Sequence, residues 1–154
     1  MCYTTKVQTS FYASGFLYSL KTHQILLIQS VQKKDSTNLW SLLGGEGKEG
    51  EEAKVTFQRV VSKSLNINLK PKDIYPVYDY FHNTRNKPNF VFYGEVTGTK
   101  KFNNLKKGSL SWFAFSETLK LLFTSQTKQD IIVGERVISA KWRDDEAKRN
   151  PLTS

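Results

Sequence analysis

The chain has 154 residues, of which 38% are hydrophobic and 24% are charged, and its formal net charge is +9. The length fits one domain with a core of its own, and the composition is that of a globular protein. A lone cysteine, Cys2, excludes an intramolecular disulfide framework, and two histidines, His23 and His82, are too few for a cluster of zinc ligands.

The net charge indicates which partners the protein could bind, and the hydropathy pattern indicates where it is located. A sequence pI near 9.6 favours anionic partners such as phosphates, nucleic acids or acidic lipid headgroups. No apolar run is long enough to span a membrane, and Met1 to Val7 lack the apolar core of a secretory signal. We therefore expect a cytoplasmic or otherwise intracellular protein without a membrane partner.

The first third of the chain predicts three strands. Tyr12 to Leu20 mixes aromatic, small and aliphatic residues, and Gln24 to Gln29 is a short apolar run between polar ends. Ser30 to Asn38 is polar and predicts a loop. Leu39 to Leu43 is apolar again and runs into Gly44 and Gly45.

A helix is predicted next, from Glu51 to Leu65, because the periodicity changes. Apolar residues recur at steps of three and four, which is the spacing of one helix face: Ala53, Phe57, Val60, Val61 and Leu65. Glu51 and Glu52 are expected in its first turn, where carboxylates suit the helix dipole. Asn66 is expected to end it in a left-handed conformation.

The second half predicts three more strands and two helices. The strands are Ile74 to Phe81, Phe90 to Val96 and Ser111 to Phe115, with a broad loop from His82 to Asn89 between the first two. Gly98 to Gly108 is a polar loop that carries four lysines: Lys100, Lys101, Lys106 and Lys107. Ser116 is expected to cap a short helix through Leu122, and Ser125 a second helix to about Ala140, which Gly134 could interrupt.

This order of elements indicates an α+β fold with a mixed sheet between helices. Residues 1–142 are expected to form the single domain. Residues 143–154 are expected to be a polar, frayed C-terminal tail.

The segment from Gly44 to Ile67 carries a recognisable motif. Five residues separate Gly45 from Glu51 and seven separate Glu51 from Arg59, while Val61 and Ile67 occupy two aliphatic positions. This spacing resembles the Nudix box, and the flanking elements resemble the same superfamily from Tyr12 to about Ala140. The resemblance extends to Trp-Ser-Leu-Leu-Gly-Gly before the box, and to a late Trp-Phe pair, Trp112 and Phe113, before a helix.

The resemblance implies the Nudix fold and a family activity: hydrolysis of a nucleoside diphosphate linked to another group, with Mg²⁺ or Mn²⁺. It also implies that Gly45, Glu51 and Arg59 are structural anchors, with Glu51 paired to Arg59. The box places three glutamates on one helix face to bind the metal. This chain has Val60, Lys63 and Ser64 at those positions, so the box is degenerate.

Candidate site residues follow from these matches and departures. Glu51 and Glu52 are candidates for catalysis, and together with Glu46 for a relocated metal site. Lys63, at a former metal-ligand position, could hold a diphosphate directly with help from Lys48, because a lysine binds phosphate as a point charge. Three aromatic residues are candidates for contact with a base, with core packing as the alternative for each: Trp40, Tyr80 and Trp112.

Three interpretations of function remain open at this point. The first is a degenerate Nudix domain that binds a nucleotide or related phosphate-bearing molecule and hydrolyses it poorly or not at all. The second is an active Mg²⁺-dependent pyrophosphohydrolase with relocated carboxylates. The third is an RNA- or protein-binding module that keeps only the fold. The helix substitutions favour the first and third interpretations over the second.

Overall fold

The computed structural model describes residues 10–30, 39–100 and 108–149. The strands are β1 (Tyr12–Ser19), β2 (Gln24–Ser30), β3 (Trp40–Ser41), β4 (Leu43–Glu46), β5 (Ile74–His82), β6 (Lys87–Val96) and β7 (Gly108–Ala114). The helices are α1 (Ala53–Leu65), α2 (Phe115–Thr118) and α3 (Ser125–Arg149), with a short 3-10 helix at Pro71–Asp73. Cys2, the loop predicted at 31–38 and the lysines at 101, 106 and 107 lie outside the described residues.

The strands of the described segments form one mixed sheet. Its main order is β3-β2-β1-β6-β5, while β4 also pairs with β1 and β7 with β2. β1 pairs in parallel with β6 along the whole length of β1, from the Tyr12–Asn89 pair to the Ser19–Val96 pair. The other pairings are antiparallel. The predicted α+β architecture is confirmed.

Strand β1 is buried on both faces, and this divides the core into two layers. Ala13 and Leu17 face the α1 layer, where they join Phe57, Val61 and other apolar residues. Phe16 and Tyr18 point the other way and pack with Ile131 and Ile138 of α3. Alternate side chains of a strand lie on opposite faces, so a strand between two helices buries both sets of side chains.

Helix α1 starts later than the sequence predicted. Glu51 and Glu52 are not in its first turn: Glu52 is the residue before the helix, in an extended conformation, and Ala53 is the first helical residue. The carboxylate of Glu51 is instead used by the loop, as described below. At the other end, Asn66 has φ 57° and its N–H donates to the carbonyl of Ser62, as expected for a left-handed C-cap.

The predicted broad loop from His82 to Asn89 is wrong. β5 and β6 continue to the His82–Lys87 pair, which leaves a turn at residues 83–86. Asn86 makes this possible because it adopts φ 56°, a left-handed conformation that asparagine tolerates well. The tight hairpin carries Arg85 at its tip. Strand β3 is also shorter than predicted, and the chain resumes as β4 through Gly44 and Gly45.

The C-terminal helices differ from the prediction at both ends. α2 ends at Thr118 and its N-cap is Ala114, whose N–H donates to Glu117 Oε1. The hydroxyl of Thr124, and not that of Ser125, caps α3 by accepting from the N–H of Thr127.

α3 then runs unbroken through Gly134 to Arg149, so it extends beyond the expected end near Ala140 and includes residues 143–149 of the predicted tail. Although α3 is 25 residues long, no helix in the described segments has the length and apolar character to cross a membrane.

Candidate functional site

The loop before α1 is held by one carboxylate. Glu51 accepts hydrogen bonds from Arg59 through Nε at 2.9 Å and Nη2 at 3.0 Å, so the pair is bidentate. The hydroxyl of Thr56 and the N–H of Lys48 donate to the same carboxylate, at 2.7 and 3.0 Å. Arg59 Nη2 also donates to the carbonyl of Glu46. These bonds attach the loop to the helix.

The same contacts fix the charge of Glu51. Hydrogen bonds from the Arg59 guanidinium above all, and from Lys48 and Thr56, lower the pKa of the Glu51 carboxyl from 4.5 to about 2, although burial opposes this change. The carboxylate is therefore ionised, and both of its oxygens are already bonded to protein donors. Such a carboxylate suits a structural anchor better than the catalytic or metal-ligand role that was also considered for it.

The side chains around α1 do not fit Mg²⁺ or Mn²⁺. Among the described residues, no three His, Cys, Asp or Glu side chains are placed to hold a metal ion. Glu46 is paired with Lys87 at 2.9 Å, and Glu52 is exposed. Glu46, Glu51 and Glu52 therefore do not converge as a set of metal ligands in the described residues, and we derive no step through a metal.

The helix face that the Nudix box would use for metal binding has another function here. Val60 is buried, and its Cγ2 would lie 2.8 Å from a Cβ built on Gly45. Glycine at position 45 therefore lets β4 approach the helix closely, and valine at position 60 belongs to the core. Lys63 is exposed on the surface of α1. This face therefore has an apolar residue, Val60, and a cation, Lys63, whereas a metal site would need a cluster of carboxylates.

A polar cavity of about 540 Å³ is lined by residues outside this helix and the loop before it. Its walls come from four parts of the chain: the start of β1, Ser41 and Leu42, the β5–β6 hairpin, and the first turns of α3. Tyr12, Tyr80 and His82 contribute rings to it. Its volume is in the range of small-molecule sites in proteins.

The hairpin and α3 each bring to the cavity a group of a kind that binds anions. The Arg85 guanidinium lies 3.8 Å from the centre of the Tyr12 ring, and the Arg85 backbone N–H donates to His82 Nδ1. The cavity also includes residues 124–127, the N-terminus of the 25-residue α3. The N-terminus of a helix carries a partial positive charge and N–H groups that suit phosphate.

Asp130 lies deeper in the cavity and is only 4% exposed. It accepts hydrogen bonds from the hydroxyls of Tyr78 at 2.6 Å and Tyr80 at 3.3 Å, and from Gln126 Nε2 at 3.0 Å. Burial raises the pKa of Asp130, and the bonds from the tyrosines and Gln126 oppose that rise. Burial and the nearby carboxylate raise the pKa of both tyrosines, so their hydroxyls remain protonated donors.

Asn89 completes this group of buried polar residues. Its Nδ2 donates to the hydroxyl oxygen of Tyr80 at 2.8 Å and to Ser14 Oγ at 3.3 Å. Its Oδ1 is buried and has no hydrogen-bond partner among the described residues. A buried polar atom without a partner is rare in native proteins and suggests a ligand or a water.

Of the residues predicted from the sequence to bind a ligand, only Tyr80 lines this cavity. Trp40 packs edge-on against Phe113 with ring centres 4.8 Å apart, so it is a core residue. Trp112 lines a different cavity and donates through Nε1 to the carbonyl of Lys100. Lys48 and Lys63 are exposed and do not line it.

Sequence reasoning missed Arg85, Asn89 and Asp130. One signal was available: Gln126 and Asp130 are four residues apart, which places them on one helix face, and Asp130 adjoins the apolar Ile131 and Ile132. Nothing comparable marks Asn89, because its partners are distant in the sequence.

Comparison with solved structures identifies the fold. The Nudix domain of Shewanella oneidensis NrtR, solved with ADP ribose, matches with a TM-score of 0.67 and 15% identity over 87% of this chain and 90% of that one. A MutT/Nudix family protein from Listeria innocua matches with a TM-score of 0.65 and 13% identity, over 90% and 98% of the two chains. The chain has the Nudix fold.

The Nudix fold is also shared with less similar sequences. A chain in the complex between the C-terminal domain of mouse MUTYH and human PCNA matches with a TM-score of 0.62 and 9% identity, over 86% of this chain and 91% of that one. No protein-family model matches the sequence, and no curated protein matches it significantly.

Proposed function

We propose that this Nudix-fold domain binds a nucleoside diphosphate-type ligand in the polar cavity and hydrolyses it slowly or not at all. One observation carries the proposal: the cavity combines Arg85 and the N-terminus of α3 with aromatic rings and buried polar groups. Arg85 and the N-terminus of α3 suit phosphate, and the rings and polar groups suit a base. The ADP ribose bound by the NrtR domain supports a ligand of this class.

The weak or absent hydrolysis rests on the α1 face. Metal-assisted hydrolysis of a pyrophosphate needs oxygen ligands for the metal, and positions 60, 63 and 64 supply valine, lysine and serine. Lys63 and Lys48 stay as predicted phosphate contacts, although neither lines the cavity. If Lys63→Ala left phosphate-ligand affinity unchanged, that part of the proposal would be lost.

The test is a binding titration of ADP, ADP-ribose and pyrophosphate, monitored by calorimetry with and without Mg²⁺. We expect saturable binding that does not require the metal. Arg85→Ala should weaken it about tenfold or more, because a charged hydrogen bond to phosphate is worth about 1.5–3 kcal/mol. Lys72→Ala is the matched control: it removes the same charge from an exposed residue before β5, at the far end from the hairpin.

A phosphate-release assay on the same compounds, with Mg²⁺, Mn²⁺ or chelator, separates the interpretations. We expect no metal-dependent turnover. Turnover that disappears in Glu46→Gln or Glu52→Gln would establish the relocated metal site and overturn the proposal. Binding to RNA or protein alone, with no small-molecule binding, would favour the third interpretation, and for RNA the affinity should fall steeply with salt.

A further inference from the structure

Asn89, Tyr80 and Asp130 form a chain of hydrogen bonds in which each donor and acceptor can be assigned. The hydroxyl of Tyr80 has a single proton, and the Asp130 carboxylate can only accept, so the Tyr80 proton is donated to Asp130. The oxygen of Tyr80 is then free to accept, and it does so from Asn89 Nδ2 at 2.8 Å. Asp130 thus sets the direction of both bonds.

This direction also fixes the side-chain amide of Asn89. Its Nδ2 faces two oxygens, those of Tyr80 and Ser14, so the opposite atom, Oδ1, must point elsewhere. That atom has no partner in the described part of the chain, and Asn89 is 1% exposed. The reversed amide would lose the donor that Tyr80 accepts. The bonds from Asn89 Nδ2 to Tyr80 and Ser14 therefore fix the amide so that its carbonyl oxygen, Oδ1, remains available as an acceptor.

Asp130 offers a second incompletely bonded acceptor. Within the described segments, its Oδ1 accepts from Tyr78 and Gln126, whereas its Oδ2 accepts one bond, of 3.3 Å, from Tyr80. Both Asn89 and Asp130 line the cavity. Asn89 Oδ1 and Asp130 Oδ2 are therefore incompletely bonded acceptors among aromatic rings, whereas the donors of Tyr78, Tyr80, Asn89 and Gln126 already bond within this group.

Building on the proposed function, we infer that the cavity selects nucleotides whose base carries an exocyclic amine. The N–H groups of such a base would supply the donors that Asn89 Oδ1 and Asp130 Oδ2 lack. A base without the amine leaves these buried acceptors unpaired, and sites built to bond a donor discriminate strongly against analogues without it. Tyr80 acts as a positioning residue that holds Asn89 in the accepting orientation.

The experiment compares nucleotide pairs that differ by one amine. Calorimetric titrations would measure GDP against IDP, and ADP against purine riboside 5′-diphosphate. We expect the amine-bearing member of at least one pair to bind about tenfold more tightly or better. In Tyr80→Phe this ratio should fall towards one while pyrophosphate affinity stays the same. Tyr75→Phe is the control, because Tyr75 lies on the same strand but packs against Tyr93, outside the cavity.

The outcomes separate the two proposals. Nucleotide binding with equal affinity in both pairs would overturn the selectivity and leave the proposed function standing. An absence of binding by every nucleotide would overturn both. If Tyr80→Phe weakened both members of a pair equally, Tyr80 would be only structural and its positioning role would be overturned. A lower ratio with unchanged pyrophosphate affinity would support that role.

Discussion

Arg59 contacts Glu51 through two nitrogens and reaches the carbonyl of Glu46 with one of them. The loop between β4 and α1 is therefore attached to the helix from two directions. The Glu51 side chain is 12% exposed and that of Arg59 is 30% exposed, so Glu51 in particular depends on its partner for hydrogen bonds. The loop is thus held firmly on a helix that has valine, lysine and serine at positions 60, 63 and 64.

We expect Glu51→Gln to destabilise the domain by about 2 kcal/mol, because it leaves the Arg59 guanidinium without its counter-charge. The free energy of unfolding in urea would measure the change. Glu52→Gln is the control: it removes the same charge from the adjacent position, where the side chain is exposed and makes no capping bond. Equal losses in the two variants would contradict the anchoring role of Glu51.

Single residues were predictable where a motif has fixed spacing. Gly45, Glu51 and Arg59 lie within one short segment, so their relation is visible in the sequence. Asn89 and Asp130 are not, because Asn89 bonds to Ser14 across 75 positions and Asp130 bonds to Tyr78 across 52. Tyr80 was identified only as an aromatic residue, and the use of its hydroxyl depends on those distant partners.

Helix α3 continues through a glycine, a residue that usually disfavours helix. Gly134 lowers helix propensity, yet the helix continues through it for another fifteen residues, to Arg149. The reason is close packing: a Cβ built on Gly134 would lie 2.8 Å from Cζ and 2.9 Å from Cε2 of Phe16, which is fully buried. Glycine is needed there to let the helix lie against the sheet.

Gly134→Ala should therefore destabilise the domain, although alanine is the better helix former. Overpacking costs about 1–3 kcal/mol and the gain in helix propensity is about 1 kcal/mol, so we expect a net loss of about 1 kcal/mol. Urea denaturation would test this against Glu135→Ala, a substitution at the exposed neighbouring position. A Gly134→Ala variant more stable than the wild type would show that Phe16 can move aside.

Most elements could be predicted from apolar periodicity, whereas their ends could not. The core strands and α1 have strong patterns because each buries a defined face. The β5–β6 turn was placed wrongly because its strands extend through polar residues such as His82 and Lys87, which pair with each other in the hairpin. The end of α3 was placed too early because its last turns are charged and carry no apolar pattern.

At the scale of the whole molecule, the ionisation of Glu51 makes the stability of the domain depend on pH. The pKa of Glu51 is about 2 in the folded chain and near 4.5 without its partners, so the folded state favours the ionised form. Its contribution is fully present above about pH 4.5 and is lost as the pH falls towards 2. Asp130 acts in the opposite direction, because burial raises its pKa.

Comparing the wild type with Glu51→Gln isolates this contribution, since Asp130 is common to both. We expect the difference in unfolding free energy to be constant above about pH 4.5 and to shrink as the pH is lowered towards 2. Urea titrations at several pH values would measure it. A difference that did not change with pH would mean that Glu51 has an ordinary pKa.

The parallel pairing of β1 with β6 has a consequence for how the chain folds. Each residue of β1 meets a partner that is synthesised long after it, and strand pairs of large sequence separation form slowly because a long loop must close first. Until β6 is available, β1 has apolar side chains on both faces and no partner on that edge. A nascent chain would therefore hold its central strand incomplete until most of the domain has been translated, the stage at which we expect it to be most prone to aggregation.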